Sequence, residues 1–166
     1  MSAVAVAVGD ELPELVLTIT RAGIVHYAGA STDFNPIHWS DRKARELGLP
    51  GVLAHGMWTM GACLRIVTDW CGSPSAVLDY SARFTHPVQV PDDDQGVRVF
   101  VTARVTELVG DIATVAVDAR VDAVQPEESG TGNSAARVKV LGNAKAHVRI
   151  TSDVGAVSSQ NAGGAL

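Results

Sequence analysis

The chain has 166 residues, 46% of them hydrophobic and 19% charged, with 13 Lys and Arg against 18 Asp and Glu. This is a globular composition, long enough for one domain with a sizeable core. A net charge of −5 with no basic cluster excludes a nucleic-acid surface, and the longest apolar run, residues 57–67, is too short to span a bilayer and carries Arg65.

The start, MSAVAVAVG, lacks a basic segment of the kind that opens a signal peptide, and the terminal GAL matches no retention or peroxisomal address, so a cytoplasmic location is expected. Residues 1–8 alternate Ala and Val, as a frayed end or an edge strand would. Residues 15–19 alternate into a short strand. Thr20 is placed to cap a helix over 21–30, with Ile24, Tyr27 and Ala28 on one face.

Asp33 and His38 follow, five positions apart, with Asn35 and Pro36 between them. Proline fixes its own φ and disfavours helix at the residue before it, so 33–38 should be a rigid turn. A stiff turn presenting an acid and a base suits general acid–base chemistry. The plainer alternative is an Asx turn followed by an unrelated His, and spacing alone leaves both open. Residues 40–47 then read as a short polar helix capped by Ser40 or Asp41, and Gly48, Pro50 and Gly51 as a loop.

A longer helix is expected over 56–70. Met57, Met60, Gly61, Leu64 and Val67 form an apolar stripe, and Trp58, Ala62, Cys63, Ile66 and Trp70 make its other sides apolar too, so it should be buried nearly all round. Gly56 at its start would leave a backbone N–H unpaired at the positive end of the helix, which suits an oxyanion; tight packing beneath a loop is the alternative. Cys63 and Cys71 would lie about 12 Å apart on this helix, beyond disulfide reach, and are expected as buried thiols.

From residue 77 the period becomes two. Strands are expected over 77–90, 97–109, 112–124 and 137–150, with a turn at 91–96, a hairpin at Gly110-Asp111, a polar loop over 125–136 and a bulge at Gly142. Short connections would make successive strands antiparallel neighbours, giving an α+β architecture with the sheet curled around the helix. Residues 1–150 form the expected domain, and the Ser-, Gly- and Ala-rich 151–166 an expected disordered tail.

Asp33, His38 and His55 offer a carboxylate and two imidazoles, but there is no paired-His spacing on one helix and no nearby Cys, so no metal is expected. His26, His86 and His147 read as surface or hydrogen-bonded structural residues. Ser31 and Ser40 lack the setting of a nucleophile.

The run YAGASTDFNPIH, followed by AHGM at a helix start, resembles the hydratase motif of the MaoC-like (R)-specific enoyl-thioester hydratases and dehydratases, over roughly residues 8–150. NPIHWSD, AHGMWTMG and ARFTHPVQVP are similar to the catalytic-subunit branch of actinobacterial (3R)-hydroxyacyl-carrier-protein dehydratases, which pair with a related subunit lacking the Asp/His motif. The resemblance implies a hot-dog fold, with Asp33 and His38 as the catalytic pair, the Gly56 N–H on the thioester carbonyl, and Asn35 with Pro36 orienting the loop. It implies reversible syn elimination of water from a 3-hydroxyacyl chain on ACP or CoA, in type II fatty acid elongation of the mycolic acid type, with no cofactor. Met57, Trp58 and Met60 are candidates for the acyl pocket. A homodimer or a heterodimer with a related hot-dog subunit is implied. Three positions depart from the pattern: Thr32 stands where Gly is common, Leu64 where some relatives have Ser, and Pro91-Asp92-Asp93 replaces a Pro-Gly-Asp. An (R)-specific enoyl-CoA hydratase of β-oxidation or polyester supply, a hot-dog thioesterase, and a non-catalytic acyl-binding subunit remain alternatives.

Overall fold

The computed structural model describes residues 6–122 and 136–150. In chain order it contains β1 (Leu15–Ile19), α1 (Arg21–Ser31), α2 (Asp41–Glu46), α3 (Gly56–Cys71), β2 (Val77–Phe84), β3 (Val97–Val109), β4 (Ile112–Asp122) and β5 (Arg137–Arg149), with 3-10 turns at Pro36–His38 and Pro74–Ala76. The expected tail 151–166, residues 1–5 and most of the 125–136 loop lie outside the described residues.

Side-chain caps start the first two helices. Thr20 accepts the Gly23 N–H at 3.1 Å, and Ser40 accepts that of Lys43 at 3.4 Å. Gly72, in the left-handed region at φ 70, closes α3. The five strands form one antiparallel sheet in the order β1-β3-β4-β5-β2. Inward residues of alternating strands, such as Val99, Val101 and Val105 on β3 and Val115 and Ala119 on β4, are all 0% exposed. They pack in one core cluster with Cys63, Ile66 and Val67 of α3. The β5 bulge lies where expected: Ser81 pairs with Lys145 but Arg83 with Gly142, and neighbouring Asn143 takes φ 51.

Two expectations are corrected. β2 and β3 are not neighbours: β2 lies on the edge beyond β5, and β3 pairs with β1 and β4. Segment 85–96 instead crosses the sheet, and on its way bonds the stretch that precedes α3 (Ala54 N–H to the Val88 carbonyl, 2.8 Å; Val90 N–H to the Val52 carbonyl, 2.9 Å). Periodicity reports which face a strand buries, not which strand lies beside it. Nor is α3 buried all round. Thr59, Cys63, Ile66, Val67 and Cys71 are buried, whereas Met57 is 63% exposed and Met60 and Leu64 are half-buried. The sheet covers one side of the helix only.

The free thiols of Cys63 and Cys71 are both buried, and burial pushes the Cys63 thiol up to about 12. Gly96 ends the crossing segment. Its N–H and that of Gln95 both bond Asp93 Oδ1, at 2.6 and 3.0 Å, and its φ is +68.

One polar clasp ties α1, α2 and the stretch before α3 to the crossing segment. Arg21 donates to Asp41 Oδ2 and to the Val90 carbonyl, both at 2.8 Å, while Asp41 Oδ1 accepts the Val52 N–H at 3.0 Å. Burial pushes the Asp41 carboxyl up, but the bonds from Arg21 and Val52 outweigh it and hold the group below its ordinary value. A depressed carboxyl contributes stability in full above the unfolded value of about 3.9 and loses it as pH falls through the lower folded value. Asp41→Ala is therefore expected to cost about 1–3 kcal/mol at pH 7. In urea melts that difference should shrink as acid protonates the carboxyl. An equal difference at pH 7 and in acid would contradict the clasp.

Candidate active site

The segment after α1 is a chain of local hydrogen bonds. Ser31 Oγ donates to the Tyr27 carbonyl at 2.8 Å and accepts the Asp33 N–H at 3.3 Å. Thr32 stands at φ 60, in the left-handed region that glycine enters most easily. That gives a physical reason for glycine at this position, and Thr32 adopts the same conformation with some strain. Asp33 Oδ1 accepts the Asn35 N–H at 3.2 Å, and Asn35 Oδ1 accepts the Ile37 N–H at 3.3 Å. Pro36 opens the 3-10 turn that His38 closes. Trp39 Nε1 donates to the Phe34 carbonyl at 3.0 Å. The turn is thus both an Asx turn and the carrier of the two candidate groups.

His38 points inward and is 8% exposed. Its Nδ1 lies 2.8 Å from the Leu53 carbonyl, which can only accept, so Nδ1 carries a proton, and in the neutral ring the lone pair falls on Nε2. Leu53 returns a bond from its N–H to the Ile37 carbonyl at 3.0 Å. His38 Nε2 lies 3.9 Å from Asp33 Oδ2, and the Asp33 side chain is 51% exposed. A buried base facing a half-exposed carboxylate is an arrangement that can move a proton between a ligand and solvent.

Gly56 begins α3, and His55 precedes it without a side-chain cap. Among the described residues no acceptor meets the Gly56 N–H. A pocket of about 310 Å³ opens beside it, walled by Ala54, Gly56, Thr59, Phe84, Val88 and Leu141 among others. The pocket meets the site at Gly56; Asp33 and His38 are not in its wall. Nor are Met57, Trp58 and Met60: Met57 faces outward and Trp58 packs against the core. Leu64 also lies outside that wall. Thr59 and Phe84 were not singled out from the sequence. Thr59 is a buried hydroxyl in the otherwise apolar first half of α3, and that contrast was the available signal.

His55 is 1% exposed. Its ring stacks on His38 with centroids 3.8 Å apart and planes 23° apart, and meets Tyr27 edge-on at 4.9 Å. Its Nε2 is 3.2 Å from the Asp33 carbonyl oxygen, and its Nδ1 is buried without a partner among the described residues. Burial, more than its neighbours, lowers the His55 pKa below the ordinary value, so the ring is neutral. Asp33, His38 and His55 bring potential ligand atoms within 4.8 Å of one another. Stacked rings do not converge on one ion, however, because imidazole lone pairs lie in the ring planes. A shared metal would require one ring to turn out of the stack. His26 is exposed, His86 bonds the Lys139 carbonyl at 2.8 Å, and His147 pairs with Asp79 at 2.8 Å.

Residues 5–125 match the family model described as a MaoC like domain. The chain is 44% identical over 79 residues to 3-hydroxyacyl-thioester dehydratase X of Mycobacterium tuberculosis, covering 48% of this chain and 27% of that protein. It is 33% identical over 101 residues to the mitochondrial 3-hydroxyacyl-[acyl-carrier-protein] dehydratase of Arabidopsis thaliana, covering 60% of this chain and 59% of the relative. It thus spans less than two thirds of either. Among solved structures, one titled MaoC-like dehydratase superposes with a TM-score of 0.75 at 34% identity, over 88% of this chain and 41% of the other. The ChsH1-ChsH2 complex from Mycobacterium tuberculosis gives 0.69 at 24% identity, over 89% and 100%, which is a likeness of fold alone.

Proposed function

The chain belongs to the MaoC-like domain family and has its hot-dog fold, and from that premise we propose that it is a (3R)-hydroxyacyl-thioester dehydratase, acting in reverse as an enoyl-thioester hydratase. The observation that carries the reading is the 3.9 Å approach of His38 Nε2, on a buried ring, to the Asp33 carboxyl on one rigid turn. The names of the dehydratase relatives support it.

In dehydration His38 Nε2 takes the proton α to the thioester, and the electron pair forms the Cα–Cβ double bond. The Gly56 N–H holds the oxygen on which negative charge builds. Asp33, through its carboxylate or a bound water, holds the β-hydroxyl as it departs. The proton taken up by His38 passes to that hydroxyl, the Cβ–O bond breaks, water leaves, and His38 returns to its starting state. Hydration runs the same steps backwards. Both groups act from one turn, hence on one face of the substrate, in keeping with syn addition and the (R) series. Asn35 and Pro36 hold the turn. The carrier is a phosphopantetheine thioester of ACP or CoA, and type II chain elongation is the favoured setting. The purified protein should bleach an enoyl-CoA or enoyl-ACP in the ultraviolet; release of free thiol instead would mark a thioesterase.

We also infer a dimer, with a second copy or a related hot-dog subunit. Among the described residues β2 pairs only with β5, leaving its other edge open, and Met57, Leu78 and Phe84 are 63%, 44% and 51% exposed on α3 and β2. Open edges and exposed apolar faces are normally covered. Sedimentation at micromolar concentration should give twice the chain mass, alone or with the partner subunit. A monomer in both cases would sink the idea.

A further inference from the structure

We propose that His55 is a positioning residue of this site, a clasp that grips the Asp33 main chain and the face of His38 and keeps the two groups in register. The proposal rests on the dehydratase reading of Asp33 and His38.

His55 touches all three parts of the site. Its Nε2–H donates to the Asp33 carbonyl at 3.2 Å, its ring lies flat on His38 at 3.8 Å, and it is bonded through the chain to Gly56. Its own backbone is anchored, because its carbonyl accepts both the Thr59 N–H at 3.0 Å and the Thr59 hydroxyl at 3.1 Å. The start of α3 therefore sets where the imidazole lies, and the imidazole sets where the Asp33 end of the turn lies. Leu53 anchors the other end through Ile37 and His38, whereas the remaining bonds around Asp33 are local and exposed and fix its shape more than its place.

A histidine kept only for packing would have both nitrogens bonded or an aliphatic replacement. Here Nδ1 is buried with no partner among the described residues, a cost the fold carries while retaining the flat ring and the Nε2 donor. Neutrality matters as well. A protonated ring stacked on His38 would oppose the proton that His38 must accept, and burial keeps His55 uncharged.

The test compares His55→Leu, which removes the donor and the flat face, with His55→Gln, whose side-chain amide can still donate to the Asp33 carbonyl. On an enoyl-CoA, the Leu variant should lose about 10- to 100-fold in kcat with KM within about threefold. The Gln variant should recover most of that loss. Amide exchange across residues 33–39 should speed up in the Leu variant and be restored in the Gln variant. That readout needs no turnover: if the wild type leaves enoyl thioesters untouched, the dehydratase reading fails while the exchange data still decide the clasp. A folded Leu variant with wild-type kcat, or with unchanged exchange in the turn, overturns the proposal. So does a Gln variant as slow as the Leu variant.

Discussion

His38→Ala and Asp33→Asn should each lower kcat on an enoyl thioester by about 10²- to 10⁴-fold, the range of a positioned acid or base. KM should change little, because neither group lies in the wall of the pocket. The two substitutions fail for different reasons. Asp33 is half exposed, and an Asn there can still accept the Asn35 N–H through its side-chain oxygen, so the turn persists and only the proton chemistry is lost. His38 is buried and bonded to the Leu53 carbonyl, so Ala also leaves a small cavity and an unpaired acceptor, costing about 1–3 kcal/mol. His38→Gln separates these effects: it can keep the bond to Leu53 but supplies no base. Wild-type turnover in both Asp33→Asn and His38→Gln would end the mechanism.

Gly96→Ala should be among the most destabilising single changes outside the site. A Cβ at Gly96 would stand 2.3 Å from the Ile19 carbonyl oxygen, which is backbone at the end of β1, and the residue sits at φ +68. Strain in the left-handed region and overpacking together cost about 2–4 kcal/mol. For a chain of this size that lowers Tm by about 5–15 °C. Gly110 is the control: its φ is +60, but nothing lies within 4 Å of its Cβ position. Gly110→Ala should cost only the backbone term, about 1 kcal/mol. Equal losses at the two glycines, read by thermal melts, would remove the clash from the account.

Much of this fold was legible because its signals are local. Thr20 and Ser40 announce helix starts, Gly110-Asp111 a hairpin, and Asn35-Pro36 a turn; each acts within a few residues of itself. The inward faces of β3 and β4 followed from alternation for the same reason. What stayed hidden depends on partners distant in the chain. Nothing in residues 77–84 says that β5 rather than β3 lies beside them. The apolar outer side of α3 looked like core because composition does not say whether one chain or two supply the cover.

The site divides in the same way. The closeness of Asp33 and His38 could be expected from spacing, since a Pro-stiffened turn brings them together, but spacing alone left their role open. The stack of His55 on His38 could not, because ring orientation depends on the Leu53 carbonyl and the start of α3. The pocket wall was equally out of reach: Phe84, Val88 and Leu141 arrive from three segments that meet only once the sheet is closed.

The crossing segment has a consequence for how the molecule comes into being. β1 waits for β3, with Leu15 opposite Val101, and β2 waits for β5, with Val77 opposite Val148. Contacts so distant in sequence form late and make folding slow, on the scale of milliseconds to seconds. On a ribosome the Asp33 turn and the α3 start emerge early, yet the pocket wall at Val140 and Leu141 is among the last described residues to appear. The pocket therefore has no complete wall until β5 has emerged, and a fragment that stops before residue 137 lacks that side of it.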